Sequence, residues 1–189
     1  MTRILLIRHA EPSAPWHVEH DPGLSELGFR QAEAAAEALE ATRGIRVVTS
    51  PLKRCQETAA PFAARVGAAP FVEPRVTEVP SPAVTDRQVW LRETFPGALD
   101  GGEPRGWAAC GVGVLRWRDG VVAALGELTE DTAVFTHFVA INAAVSAALA
   151  RDQAIVCRPA HASITELACE NGVLRLVSLG AQVGGGKVA

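Results

Sequence analysis

The chain has 189 residues, of which 48% are hydrophobic and 21% charged, values typical of a globular protein with a sizeable core. Chains of this length most often form one domain, so we expect residues 1–189 to fold as a single unit. The formal net charge is −3, without the basic excess of proteins that bind nucleic acids or anionic membranes. We therefore expect neither nucleic acid nor a membrane among its partners.

The four cysteines, Cys55, Cys110, Cys157 and Cys169, form neither a C-x-x-C pair nor a zinc-binding spacing. Cys55 and Cys169 fall on apolar faces of predicted elements, and we interpret them as small core residues. No apolar stretch has transmembrane length, and the chain begins with a strand-like segment rather than a signal-peptide pattern. These features predict a cytoplasmic protein with reduced thiols.

The first part of the chain alternates strand-like and helix-like segments. Apolar β-branched runs predict strands, and apolar residues at helical spacing predict helices. The predicted elements are a strand at residues 3–7, a polar loop at 10–23, a helix capped by Ser25 and running to about Thr42, a strand at 45–49, a helix capped by Ser50 and opened by Pro51, and a short strand at 70–73.

The segment at about residues 74–111 is the least regular, with several prolines and one candidate helix around 86–93. A long irregular insert in a compact domain usually has a function, such as that of a lid. The elements predicted after it are a helix at about 114–128, a strand at 132–136, a helix around 141–149, strands at 163–169 and 173–179 joined by the hairpin turn Asn171-Gly172, and a frayed tail at 181–189.

Strands that alternate with helices and then end in a hairpin predict an α/β fold. The expected architecture is a three-layer α/β/α sandwich with a mostly parallel central sheet and an antiparallel edge strand. In such a sheet, ligands bind beyond the carboxyl ends of the strands. Arg8 and His9 directly follow the first strand, Arg54 follows the second, and His137 follows the strand at 132–136. We expect these four side chains to lie near one edge of the sheet.

Together, these side chains suit phosphoryl transfer. The transferred group carries negative charge, which arginines, histidines and helix N-termini can stabilise. A neutral histidine can serve as the nucleophile near pH 7. One carboxyl group can protonate the leaving oxygen and later activate water, and Glu78 lies in a loop within reach of the same edge. The sequence therefore predicts an enzyme that acts on a phosphoryl group.

Five segments stand out in chain order: Ile7-Arg8-His9-Ala10-Glu11, residues 24–32, residues 50–59, Thr136-His137 and residues 162–167. Their order and spacing resemble the signature segments of the histidine phosphatase superfamily, also called the phosphoglycerate-mutase-like family. The resemblance extends from Arg3 to about Leu179. It implies that His9 is phosphorylated and that Arg8, Arg54 and His137 hold the phosphate.

The resemblance also implies that Glu78 acts as the general acid and then as the base, which makes His9, Glu78 and His137 the catalytic set. Glu78 lacks the sequence context usual in the family, so Glu73 and Glu103 remain alternatives for the acid. Other departures from the family pattern are Ala10 in place of glycine, Pro12 and Pro15 in place of threonine and asparagine, and Phe138 in place of glycine.

Several residues near these segments allow other interpretations. Glu19, Asp21 and two loop histidines, His17 and His20, could form a metal site, but their spacing fits no helical metal motif, and we predict no metal and no cofactor. His161 lies either in the pocket or in the structural framework. Trp16, Trp90 and Trp107 line either a substrate cleft or the core.

The resemblance implies a metal-independent phosphomonoester hydrolase of the histidine acid phosphatase type, which works through a phosphohistidine intermediate. Its substrate would be a small phosphorylated metabolite or a phosphoprotein, and the chain would be a monomer or homodimer. One alternative is a phosphoglycerate-mutase-type phosphotransferase, although those enzymes are generally longer. The other is a non-catalytic phospho-ligand binding protein on the same scaffold.

Overall fold

The computed structural model describes residues 1–15, 18–19, 21–42, 44–81, 86–96, 103 and 105–184. Its strands and α-helices are β1 (Thr2–Arg8), α1 (Glu26–Ala38), β2 (Arg46–Thr49), α2 (Lys53–Val66), β3 (Phe71–Val72), α3 (Arg87–Thr94), α4 (Val112–Gly126), β4 (Thr132–Thr136), α5 (Phe138–Ala148), β5 (Ile164–Glu170) and β6 (Val173–Ser178). Short 3₁₀ helices at Pro74–Val76 and Trp107–Cys110 flank α3. No described helix combines the length and the apolar character needed to span a membrane.

Within the described ranges, the strands form one six-stranded sheet in the order β3-β2-β4-β1-β5-β6. The first four of these are mutually parallel, whereas β5 and β6 are antiparallel to their neighbours. The α/β prediction of a mostly parallel sheet is confirmed. The antiparallel edge contains two strands rather than one, because the whole predicted hairpin adds to the sheet.

Alternation of side chains along each strand builds a separate core on each face of the sheet. Ile4 and Leu6 pack with residues of α4 and α5, while Leu5 and Ile7 pack with residues of α1 and α2. Cys55 and Cys169 are buried in these two cores, as predicted. The helices therefore cover both faces and complete the three layers.

Helix α1 begins at the residue that the sequence predicts, and the β5–β6 hairpin turns at the predicted residues. The Ser25 hydroxyl accepts a hydrogen bond from the Gly28 N–H at 2.9 Å, which is the N-cap contact expected of this residue. Asn171 and Gly172 both have positive φ, 51° and 79°, as a two-residue type I′ turn requires.

Two local predictions are wrong. Helix α2 begins at Lys53 and its N-cap residue is Leu52, so neither a Ser50 cap nor Pro51 opens it. Residues 181–183 are not frayed, because the Ala181 carbonyl accepts from the Ala160 N–H and the Val183 N–H donates to the Arg158 carbonyl. The end of the expected tail, residues 185–189, lies outside the described residues.

Asn142 joins α5 to the segment that leads toward His161. Its side-chain oxygen accepts hydrogen bonds from the backbone N–H groups of Val156 and Cys157, at 2.8 and 2.9 Å. Its amide donates to the Phe138 carbonyl at 3.0 Å. This buried side chain thus fixes two segments that border the sheet edge where β1 and β4 end.

We expect Asn142→Ala to lower the free energy of unfolding by about 3 kcal/mol, because two buried N–H groups lose their acceptor. Denaturant unfolding followed by circular dichroism measures the effect. Gln153→Ala removes an exposed amide from the same segment and should change this free energy by about 0.5 kcal/mol or less. Equal effects of the two substitutions would contradict the assigned role of Asn142.

Candidate active site

The carboxyl ends of β1, β2 and β4 lie side by side and bring three chain segments together. The His9 N–H donates to the Thr136 carbonyl at 2.8 Å, and the Ser50 N–H donates to the Phe135 carbonyl at 3.0 Å. The backbone after β1 and the backbone after β2 are therefore both tied to β4. The structure brings Arg8, His9, Arg54, Glu78 and His137 to this one edge.

The hydrogen bond of the His9 ring defines its tautomer. The Nδ1 atom lies 2.8 Å from the Ala10 carbonyl, which can only accept, so Nδ1 carries the proton. Burial, together with His137, Arg8 and Arg54, lowers the pKa of His9 well below its ordinary value. The ring is therefore neutral near pH 7, and its Nε2 carries an unshared electron pair.

His137 lies beside His9, with the ring centroids 5.2 Å apart. Arg54 Nη2 donates to Nδ1 of His137 at 3.4 Å. The ring proton of His137 is therefore on Nε2, which donates to the Ser50 hydroxyl at 2.8 Å. Cys55 Sγ lies 3.3 Å from the same Nε2. Burial, followed by Arg54 and Arg8, lowers the pKa of His137 well below its ordinary value.

Ser50 is thus a site residue that the sequence interpretation missed. Ser-Pro is a strong local signal for a helix start, and that signal led to the predicted cap. The one clue in the sequence was its position directly after a strand, at the edge where ligands bind.

Both arginines keep part of their guanidinium groups without hydrogen-bond partners. Arg8 donates from Nη1 to the Pro159 carbonyl at 2.8 Å, while its buried Nε has no partner among the described residues. The Arg54 side chain is 6% exposed, and its buried Nη1 also has no such hydrogen bond. Burial lowers the pKa of Arg8 to about 10, so the Arg8 side chain remains cationic near pH 7. Unused cationic donors of this kind suit an oxyanion.

Thr58 links the segment that follows β1 to α2. Its hydroxyl accepts from the Ala10 N–H at 3.0 Å and donates to the Arg54 carbonyl at 2.6 Å. The residue after His9 is therefore connected to Arg54 through a single buried side chain.

Glu78 lies at the same edge and is partly buried. Its carboxylate accepts from the Val79 N–H at 3.0 Å and from the Val139 N–H, in the first turn of α5, at 3.3 Å. Burial raises the pKa of Glu78 above its ordinary value, although these N–H groups and Arg54 act in the opposite direction. A carboxyl group with a raised pKa is suited to proton transfer.

The alternative acids have different surroundings. Glu73 pairs with Arg75 at 2.9 Å, and the hydrogen bond from Arg75 lowers the pKa of Glu73. Glu103 is exposed. The geometry therefore favours Glu78 among the three.

Of the other residues considered from the sequence, His161 and Phe138 lie beside His9 and Arg8, whereas Trp107 and Trp90 lie in or against the core. The His161 ring centroid lies 5.6 Å from that of His9, and burial and Arg8 lower the pKa of His161 to about 4. Phe138 packs under the Arg8 guanidinium at 5.2 Å. Trp107 is buried and donates to Ser146, and Trp90 packs edge-on against Phe95, which places these two tryptophans in and against the core.

Trp16, His17 and His20 lie outside the described residues. Across the part of the chain that is described, no group of three or more His, Cys, Asp or Glu side chains could hold a metal ion.

The chain belongs to the histidine phosphatase superfamily: the model for branch 1 of that family matches residues 4–182. The sequence-based recognition of the family is therefore confirmed.

Two curated relatives match half of the chain. The uncharacterised protein Rv0525 of Mycobacterium tuberculosis is 36% identical over 118 residues, which are 54% of this chain and 58% of the relative. A probable phosphoglycerate mutase, GpmB of Cronobacter sakazakii, is 30% identical over 121 residues, or 56% of this chain and 55% of the relative. The matched stretch thus spans little more than half the length of these relatives.

A solved structure matches nearly the whole chain. It is a mycobacterial glucosyl-3-phosphoglycerate phosphatase in complex with VO₃, 25% identical, with a TM-score of 0.68 over 96% of this chain and 100% of that one.

Proposed function

We propose that this chain is a metal-independent phosphomonoester hydrolase that forms a phosphohistidine intermediate on His9. One observation carries the proposal: a neutral His9, whose Nδ1 proton is held by the Ala10 carbonyl, lies at the same sheet edge as Arg8 and Arg54, whose charges lower its pKa. Arg8 Nε and Arg54 Nη1 are buried and have no hydrogen-bond partner among the described residues. A lone pair next to unused cationic donors suits attack on a phosphoryl group.

The reaction follows from these positions in two steps. His9 Nε2 attacks phosphorus, the ester P–O bond breaks, and Glu78 gives its proton to the leaving oxygen. Water then attacks the phosphohistidine and transfers a proton to Glu78, and the N–P bond breaks to release phosphate. Arg8, Arg54 and His137 stabilise the phosphoryl oxygens in both steps.

The solved neighbour supports hydrolysis, since it is a phosphatase that was solved with VO₃, an analogue of a phosphoryl group. The probable phosphoglycerate mutase among the relatives supports the second candidate, transfer of the phosphoryl group between positions of a phosphoglycerate. We favour hydrolysis of a small phosphorylated metabolite, because this neighbour, which matches nearly the whole chain, is a phosphatase.

Trapping the intermediate tests the proposal. We expect protein incubated with ³²P-labelled glycerol 3-phosphate and quenched in alkaline detergent to carry label on His9, stable to base and labile to acid. The reaction is run in EDTA, and loss of labelling by EDTA would revive a metal-dependent reaction. Absence of label together with measurable phosphate release would exclude the phosphohistidine route. Phosphate binding with neither label nor release would favour the non-catalytic alternative.

A second assay separates the hydrolase from the mutase. A hydrolase releases free phosphate, whereas a mutase interconverts 2- and 3-phosphoglycerate.

A further inference from the structure

The backbone that leads into Glu78 is held by side chains of two other elements. The hydroxyl of Thr136, the last residue of β4, donates to the Val76 carbonyl at 2.6 Å. The Nε1 atom of Trp117, in α4, donates to the Thr77 carbonyl at 3.3 Å. Both residues that directly precede Glu78 are therefore fixed through their carbonyl groups.

The Thr136 contact joins the chain segments of two site residues. Thr136 directly precedes His137, and Val76 lies two residues before Glu78. Thr136 and Val76 are both buried, and a buried carbonyl that lacks a donor is costly. This hydrogen bond therefore sets the distance between the end of β4 and the backbone that carries Glu78.

The contacts of the Glu78 carboxylate do not fix its position by themselves. The Val79 N–H, at 3.0 Å, belongs to the next residue and moves together with Glu78. The Val139 N–H belongs to another element, but at 3.3 Å it makes a long hydrogen bond. These two contacts orient the side chain, whereas its distance from the histidines depends on the backbone that Thr136 holds.

We propose that Thr136 is a positioning residue, which acts through Glu78 and holds this carboxyl group within proton-transfer distance of the leaving oxygen. The inference rests on the proposed function and extends it to a residue that does not contact the phosphoryl group. A displacement of about 1 Å can slow a reaction about 100-fold. Loss of the Thr136 hydroxyl should therefore slow the steps in which Glu78 transfers a proton and spare those in which it does not.

The choice of leaving group separates this role from a purely structural one. We expect Thr136→Val to slow phosphorylation of His9 by glycerol 3-phosphate about 20-fold, because the alkoxide needs a proton from Glu78. Phosphorylation by p-nitrophenyl phosphate, whose leaving group needs no proton, should stay within about threefold of the wild type. Thr136→Ser keeps the hydroxyl and should restore the rate with glycerol 3-phosphate. Rapid-quench labelling and stopped-flow absorbance of nitrophenolate measure the two rates.

Thr132→Val is the matched control. Thr132 lies on the same face of β4, four residues before Thr136. It is also buried, and its hydroxyl donates to the Glu130 carbonyl at 2.7 Å. This contact lies at the opposite end of the strand from the histidines. Thr132→Val should therefore lower the melting temperature but change the ratio of the two phosphorylation rates less than about twofold.

Three outcomes would overturn the inference. Equal slowing with both esters in Thr136→Val would assign the effect to the histidines or to the fold rather than to Glu78. Unchanged rates with both esters would show that the hydroxyl is not needed, and an equal change of the ratio in Thr132→Val would show that any buried hydroxyl of β4 has the same effect. If valine prevents folding, Thr136→Ala removes the same hydroxyl without adding a methyl group.

Amide hydrogen exchange of Val139, followed by NMR, is a readout that needs no turnover. A displaced Glu78 no longer accepts the Val139 N–H, so exchange should be about tenfold faster in Thr136→Val and within about threefold of the wild type in Thr136→Ser and Thr132→Val. If the wild type forms no phosphohistidine with either ester, the proposed function fails, while this exchange rate still decides whether Thr136 holds Glu78 in place.

Discussion

We expect His9→Ala to hydrolyse p-nitrophenyl phosphate at least about 10⁴-fold more slowly than the wild type, because alanine lacks the ring nitrogen that bonds to phosphorus in the proposed reaction. The His9 ring is buried, but its polar contact is one hydrogen bond to the Ala10 carbonyl. Thermal unfolding followed by circular dichroism should therefore show a folded protein.

His161→Ala is the matched control for this substitution. It removes an imidazole that lies 5.6 Å from the His9 ring but takes no part in the proposed bond formation. We expect it to retain phosphohistidine labelling and to keep its rate within about tenfold of the wild type. A folded His9→Ala variant with wild-type turnover would exclude His9 as the nucleophile.

Glu78→Gln should separate the two chemical steps. With glycerol 3-phosphate, whose alkoxide leaves poorly without a proton, we expect phosphorylation of His9 to slow about 10³-fold. With p-nitrophenyl phosphate the leaving group needs no proton, so one equivalent of nitrophenolate should appear in a rapid burst. Turnover should then be slow, because the attacking water has lost its base. Stopped-flow absorbance measures the burst.

Glu73→Gln is the control for the position of the acid, since Glu73 pairs with Arg75 rather than with the histidine edge. We expect its rates to stay within about threefold of the wild type. Loss of the burst in Glu78→Gln would assign Glu78 a structural role, and full activity of Glu78→Gln with both esters would exclude it as the acid.

The pH dependence of the wild type follows from the same carboxyl group. Because burial raises the pKa of Glu78, its proton is retained to a higher pH than in an ordinary glutamate. The first-turnover rate with glycerol 3-phosphate should fall as the pH rises through that pKa, and Glu78→Gln should lack this fall. The lowered pKa of His9 keeps its ring neutral well below pH 6.5. The loss of first-turnover rate on the acid side should therefore occur at a lower pH than for an ordinary histidine.

Features with strong local signals could be predicted from the sequence. The Ser25 cap and the Asn171-Gly172 turn depend on residues close in the chain, and both form as predicted. The clustering of Arg8, His9, Arg54 and His137 could be predicted because parallel strands end at one edge of a sheet.

Features that depend on distant partners could not be predicted in this way. Ser50 contacts His137, 87 residues further along the chain, so its local helix-start signal was misleading. Asp21 contacts the start of α2 across 32 residues, and no spacing rule connects the two. The segment at 181–183 lacked a strand pattern, yet its backbone pairs with Arg158 and Ala160.

The Thr58 hydroxyl, which bridges the Ala10 N–H and the Arg54 carbonyl, has a consequence for the entropy of binding. A substrate that bridges two independently moving groups must first restrict their relative motion, and affinity is lost in doing so. Here the backbone beside His9, the proposed nucleophile, and the backbone of Arg54, a proposed phosphate ligand, already share the buried Thr58 side chain. The distance between these two backbone segments is set when the protein folds, so a phosphoryl group that binds between them does not have to restrict their relative motion.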